Sequence, residues 1–227
     1  MYEKFVKSAT IILMSNINII KPADIEKKSF EIIGGELKKM GISLPPAYAP
    51  IIKRVIHTTA DFDYAGNLYF SPDVVYIIQN AIKAKTPIIT DTQMAKSGIN
   101  KTALAKYGSE VHCFMSDEDV AERAKEAGVT RAYVSMDKSL TLGDNLIYAI
   151  GNAPTALIRL HELIGESKCR PAAIIGVPVG FVNVVEAKEL IMGTDIPYIV
   201  ARGRKGGSNV AAAIINAILY SFEGENA

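Results

Sequence analysis

Ala172-Ala173-Ile174-Ile175-Gly176-Val177-Pro178-Val179-Gly180-Phe181 is an apolar run that breaks into a Gly/Pro turn, and a stretch with helical spacing, 182–192, follows at once. The arrangement then repeats. A second apolar run, 197–202, ends in Gly203-Arg204-Lys205-Gly206-Gly207-Ser208 before another helical stretch, 208–222. The same rhythm reaches back through the chain, predicting strands at 87–90, 110–115 and 145–150 and helices at 72–84, 117–127 and 154–164. An edge strand is expected at 67–70. Strands that are apolar throughout offer no face to water, so both faces of the sheet are covered. The fold class is therefore α/β, in three layers: a mainly parallel sheet with helices on both faces.

Two helices precede this pattern. Pro22-Ala23-Asp24 opens the first, with Asp24 as its expected cap, and Ile25, Ser29, Ile33, Leu37 and Met40 follow at helical spacing. Ser29 thus falls on an apolar stripe. The second helix is expected over 47–59. No composition break, linker or repeat divides 21–227, which reads as one domain, with 1–20 as an N-terminal extension. Lys4 and Lys7 before Ile11-Ile12-Leu13-Met14 resemble a signal peptide faintly, but the apolar part is too short, and Met14 is an alternative start.

Composition excludes several classes. The 227 residues are 49% hydrophobic and 22% charged with a formal net charge of +1, which gives no bulk attraction to nucleic acid or an anionic membrane. No apolar run reaches the roughly 18 residues of a spanning helix. Cys113 and Cys169 stand apart without a Cys/His cluster, so a disulfide framework or zinc knuckle is not expected, and a cytoplasmic location is.

In an open parallel sheet the turns after the strands gather at one edge, where ligands bind. Here those turns are unusual: Thr90-Asp91-Thr92-Gln93-Met94, Gly151-Asn152-Ala153-Pro154-Thr155, the turn after Gly176, and the turn from Gly203 to Ser208. The last combines glycines, Arg204, Lys205 and Ser208 as an expected N-cap, which together make an anion pocket. It matches neither a P-loop nor a dinucleotide fingerprint, so a carboxylate is the expected anion.

Of three histidines, His112 lies in a strand and His161 borders an apolar stripe; both read as structural. His57 differs. On its helix Ile51, Ile52, Val55 and Ile56 point one way, and His57 falls about 170° from their mean direction, off its own core. Asp61 and Asp63 lack a third ligand at metal-binding spacing and read as loop or capping carboxylates, so no metal site is expected.

Taken in order, Ile25-Glu26-Lys27-Lys28-Ser29-Phe30-Glu31-Ile32-Ile33, Arg54-Val55-Ile56-His57, Phe70-Ser71-Pro72-Asp73, Asp91-Thr92-Gln93-Met94, Gly151-Asn152-Ala153-Pro154-Thr155, Gly176-Val177-Pro178-Val179-Gly180-Phe181 and Gly203-Arg204-Lys205-Gly206-Gly207-Ser208 resemble the precorrin-8X / cobalt-precorrin-8 methylmutases of cobalamin biosynthesis. The resemblance implies an isomerase that moves a methyl group from C11 to C12 of precorrin-8 or cobalt-precorrin-8, giving hydrogenobyrinate or cobyrinate. It places the proton-donating histidine at His57. Ser29, Asp91, Thr92, Arg131 and Asn152 would then line a tetrapyrrole pocket, with Gly203, Arg204, Lys205, Gly206, Gly207 and Ser208 at its rim. It also implies a homodimer and no cofactor, any cobalt being carried by the substrate.

Two rivals remain at this level. A non-catalytic corrinoid carrier or sensor would share the anion turns without needing His57 against the ring. A nucleotide- or S-adenosylmethionine-dependent enzyme would share the fold, and the missing glycine fingerprint speaks against it.

Overall fold

The structure is a computed structural model and describes residues 21–224; the 1–20 extension lies outside the described residues. Two helices lead, α1 (Pro22–Lys39) and α2 (Ala49–Thr59), followed by the short α3 (Tyr64–Asn67) and β1 (Leu68–Phe70). Next come α4 (Val74–Lys83), β2 (Ile88–Thr90), α5 (Gln93–Gly98), α6 (Lys101–Ala105) and β3 (Val111–His112). The chain continues through α7 (Glu118–Ala127), α8 (Arg131–Ser139), β4 (Ile147–Ile150), α9 (Pro154–Gly165), β5 (Ala173–Gly176), α10 (Val184–Met192), β6 (Tyr198–Ala201) and α11 (Ser208–Gly224).

The sheet order is β1-β6-β5-β4-β2-β3. Five strands run parallel, Ile88 lying beside both Val111 and Ile147, while β1 pairs with β6 antiparallel, Leu68 opposite Ala201. The expected edge strand is thus present. Alternate strand residues feed two cores, as period 2 requires. Ile88, Ile147, Ala149, Ile175 and Ile199 pack with α1, α2, α4 and α11, whereas Ile89, Tyr148, Ile150, Ile174 and Val200 pack with α8, α9 and α10. These are the three layers. On α9, Ala156, Leu157, Leu160 and Leu163 form the buried stripe, each leucine worth about 1.5–3 kcal/mol of burial.

Several local expectations need correction. Residue Asp24 is not the cap of α1: Lys21 is, and Asp24 sits in the first turn, where its charge meets the helix dipole. Only Ile33 and Leu37 of the α1 stripe are buried; Ile25 and Met40 are half exposed, at 50% and 55%. Helices α3, α5, α6 and α8 go beyond the sequence pattern. The last three begin at polar caps: Thr92, Asn100 and Thr130 accept from the N–H three residues on, at 3.1, 3.0 and 3.2 Å. The expected strand over 110–115 shrinks to β3, two residues long.

Candidate active site

The chain order places β2 and β4 side by side although β3 intervenes in sequence, so the winding direction reverses between them. That reversal opens a crevice at the carboxyl ends of the strands. Asp91 fills it. Its carboxylate accepts from the N–H groups of Gly151, Asn152 and Ala153 at 2.9, 2.8 and 2.6 Å, tying the turn after β4 to the end of β2. The residue is fully buried, and burial pushes its carboxyl above the usual range against the pull of these donors. Beside it, the hydroxyls of Thr92 and Ser208 meet at 2.8 Å.

The turn after β6 presses on its neighbours. A Cβ on Gly206 would stand 2.1 Å from the Val177 carbonyl oxygen, so only glycine fits there. Gly207 N–H donates to that same oxygen at 2.9 Å, and Gly180 N–H donates to the Arg204 carbonyl at 3.2 Å. From below, Lys188 of α10 sends its ammonium into the turn and donates to the carbonyls of Gly203 and Lys205, at 2.7 and 2.9 Å. Lys188 is fully buried, and burial pushes its pKa down to about 8.

The two cations of this turn have different fates. Lys205 pairs with Asp61 at 2.6 Å and with Asp63, which hold its pKa well above the usual lysine range; the same ammonium keeps Asp61 low. Asp61 also accepts from the Asp63 N–H at 3.0 Å. Arg204 instead reaches over the Phe181 ring, 5.5 Å from its centroid. Phe181 and Val182 are 83% and 76% exposed, and Met94 is 70% exposed, so the edge carries an open apolar surface beside its polar turns.

The pair made by Lys205 fixes a further point of geometry. Asp61 follows α2 directly, so the C-terminal end of α2 lies at this edge, with His57 in its last turn. Residue His57 is exposed, as its helix position requires, and its ring lies 5.4 Å from the Phe30 ring of α1. Arg54, one turn earlier, is held between the Phe30 and Tyr220 rings at 4.8 and 5.0 Å and donates to Glu26 at 2.8 Å. That hydrogen bond, with the nearby charges of Arg54 and His57, holds the Glu26 carboxyl below its usual range. An imidazole, an aromatic wall and a carboxylate therefore share one exposed patch.

The precorrin-8X methylmutase model matches residues 24–221. The chain belongs to the precorrin-8X methylmutase family. It is 44% identical over 206 residues to the cobalt-precorrin-8 methylmutase of Salmonella typhimurium, covering 89% of this chain and 96% of the relative. Against the cobalt-precorrin-8 methylmutase of Priestia megaterium it is 43% identical over 199 residues, covering 88% of each. The solved precorrin-8X methylmutase of Thermus thermophilus superposes with a TM-score of 0.81 at 35% identity, covering 90% of this chain and all of that one. Family enzymes are isomerases that migrate a methyl group, and this methylmutase has their fold.

Within this methylmutase, the residues expected at the site divide. His57, Asn152, Arg204 and Lys205 are exposed, and Thr92, Ser208, Gly203 and Gly206 are half-buried at the carboxyl edge. Ser29 is half-buried on α1 beside Phe30 and donates its hydroxyl to the Ile25 carbonyl at 3.0 Å. Arg131 is exposed at the start of α8, which reaches the same edge through a 2.7 Å contact between the Thr130 and Thr155 hydroxyls. Three expectations change. Asp91 and Gly207 are buried and support the turns rather than line them. Lys205 is not a free cation, because Asp61 and Asp63 already neutralise it. Ser208 is the first helical residue, not the cap; Gly207 caps α11 through its carbonyl, which accepts from Ala211 N–H at 3.0 Å.

Sequence reasoning missed Lys188, Glu26 and Phe30. Lys188 was legible, since Val184, Ala187, Lys188 and Ile191 form the buried face of α10 at i, i+3, i+4 and i+7. A lysine on that stripe must find partners inside. His112, on the edge strand, lies 3.5 Å from Glu110, and His161 is half-buried on α9. Burial pushes up both thiols, Cys169 to about 11, which leaves neither activated as a nucleophile. Among the described residues no three His, Cys, Asp or Glu side chains gather as a metal site, and no helix is long and apolar enough to cross a membrane.

Proposed function

We propose that the enzyme moves the methyl group from C11 to C12 of precorrin-8 or cobalt-precorrin-8, giving hydrogenobyrinate or cobyrinate, with His57 as the proton donor. The observation that carries this reading is the exposed His57 ring beside Phe30, on a helix whose end is tied to the glycine turn by Asp61 and Lys205. A carboxylate-rimmed, flat apolar ring needs dispersed donors at its edge and a broad apolar floor. The turns supply the donors, and Phe181, Val182 and Met94 supply apolar surface. An imidazole can give a proton from one ring nitrogen and take one at the other, and so suits reversible proton donation. The reaction keeps every atom: the C11–methyl bond breaks, the C12–methyl bond forms, and the proton lent to the ring is returned from another position. No second substrate or cofactor is required, and any cobalt enters with the ring.

Anaerobic incubation with precorrin-8 tests the reading by the absorbance change that accompanies corrin formation. Tight binding without rearrangement would favour the carrier or sensor instead, and no binding would remove both.

The exposed apolar side chains at this edge, with Ile25 and Ile32 on α1 and Met40 just after it, also support a homodimer that covers part of the site. Light scattering at micromolar concentration should give about twice the 24.5 kDa chain mass. A monomer with full turnover would exclude a shared site.

Arg204 and Lys205 should separate on mutation. Arg204→Ala is expected to weaken binding of the carboxylated product by about 1–3 kcal/mol, the worth of a charge-assisted hydrogen bond. Lys205→Ala should cost less in affinity, because its ammonium is already shared by two carboxylates. Product titration reads both; unchanged affinity in Arg204→Ala would make the turn a connector only.

A further inference from the structure

We infer that Lys188 is a positioning residue for the 203–207 turn: by gathering the carbonyls of Gly203 and Lys205 beneath the turn, it aims backbone N–H groups at the ligand edge. This rests on the proposed function and deepens it by saying how the binding turn is built. Three successive carbonyls are engaged by protein donors: Gly203 and Lys205 by the Lys188 ammonium, and Arg204 by the Gly180 N–H. No cis peptide bond occurs among the described residues, and in a trans peptide the N–H points opposite to the C=O. The N–H groups of Arg204, Lys205 and Gly206 are therefore turned away from those donors. Among the described residues none of the three donates to a protein acceptor. The N–H groups of Arg204 and Gly206, each opposite a carbonyl that the one ammonium gathers, are turned the same way and together offer a concavity for an anion.

The burial of Lys188 supports the same conclusion. No carboxylate among the described residues pairs with it, although it is fully buried, and a lone buried ammonium is costly unless its donors are satisfied. Here two carbonyls of one turn take two of its three donors. Without the ammonium those two oxygens would be left unpaired, and rotating their peptides toward water would swing the N–H groups inward.

The test compares two ligands on the full-length protein. Hydrogenobyrinate carries carboxylates, and its full methyl ester has the same ring without the charge. Lys188→Met should raise the Kd for hydrogenobyrinate by about 10–100-fold, and raise KM more than it lowers kcat, while the ester binds both proteins alike. Backbone amide resonances of 203–207 should move in the variant while those of the central strands stay. Equal loss for acid and ester would mean a merely structural role and overturn the inference, as would unchanged affinity for the acid. If Lys188→Met does not fold, Lys188→Gln is read with the same ligand pair. In the wild type, Arg204 and Gly206 amides that do not respond to hydrogenobyrinate would also overturn it. If the wild type binds neither ligand, the functional reading fails, and the ligand-free amide shifts of the variant judge Lys188 alone: unmoved 203–207 resonances overturn its role.

Discussion

Asp91→Asn should lower the melting temperature by about 5–15 °C, although it exchanges a single buried oxygen for an NH2 group. The carboxylate offers two oxygens to three N–H groups, one receiving from Gly151 and the other from Asn152 and Ala153. An asparagine amide must place its NH2 against at least one of those donors. That leaves a buried N–H unsatisfied and removes the charge from the remaining bonds, a loss of about 2–4 kcal/mol. For a chain of this size each kcal/mol is worth roughly 2–4 °C. Relief from burying a charge works in the opposite direction, since burial is the larger influence on the Asp91 carboxyl. The donor count decides the sign, because three N–H groups converge here and an amide cannot accept all of them. Calorimetry of the folded variant checks this. An unchanged melting temperature would mean that Asp91 is held protonated, with a hydroxyl donor already in place of one acceptor.

Residue Asp91 also marks how far the sequence could be read. Its position after an apolar strand identified the carboxyl edge, and the turns found there do converge: a Cβ on Gly151 would stand 2.6 Å from the Ser208 Cα. Whether a polar residue at such an edge faces the ligand or holds the turn depends on where neighbouring N–H groups point. That is set by strand order, and the β2–β4 adjacency is invisible to local periodicity. The same limit explains Lys205. Its partners, Asp61 and Asp63, lie more than 140 residues away in sequence. Helix periodicity was more informative. It turned His57 off its own core from four apolar neighbours alone, and it would have flagged Lys188 had the stripe of α10 been followed through a charged residue. The missed helices α3, α5, α6 and α8 are short, four to nine residues, and at the last three the caps carried more signal than the apolar spacing.

His57→Asn should leave folding and ring binding intact and reduce turnover by about 10²–10⁴-fold, the usual contribution of a positioned proton donor. The structure makes this substitution informative, because His57 is exposed and its helix is anchored by Ile51, Ile52, Val55 and Ile56 on the opposite side. The ring contact with Phe30 is the packing at stake among the described residues, worth about 0.5–1.5 kcal/mol beyond burial for a ring pair. Asparagine keeps a polar side chain with a donor and an acceptor but has no acidic proton to transfer. A rate loss with retained affinity therefore isolates proton transfer from binding. His112→Asn and His161→Asn serve as controls, one changing an edge-strand contact to Glu110 and the other a half-buried position on α9. Neither should slow turnover comparably while circular dichroism remains native. Single-turnover rates with precorrin-8, read beside product affinity, distinguish the outcomes. If folded His57→Asn rearranges the substrate at the wild-type rate, the proton comes from another group, and the exposed imidazole beside Phe30 has no part in the chemistry.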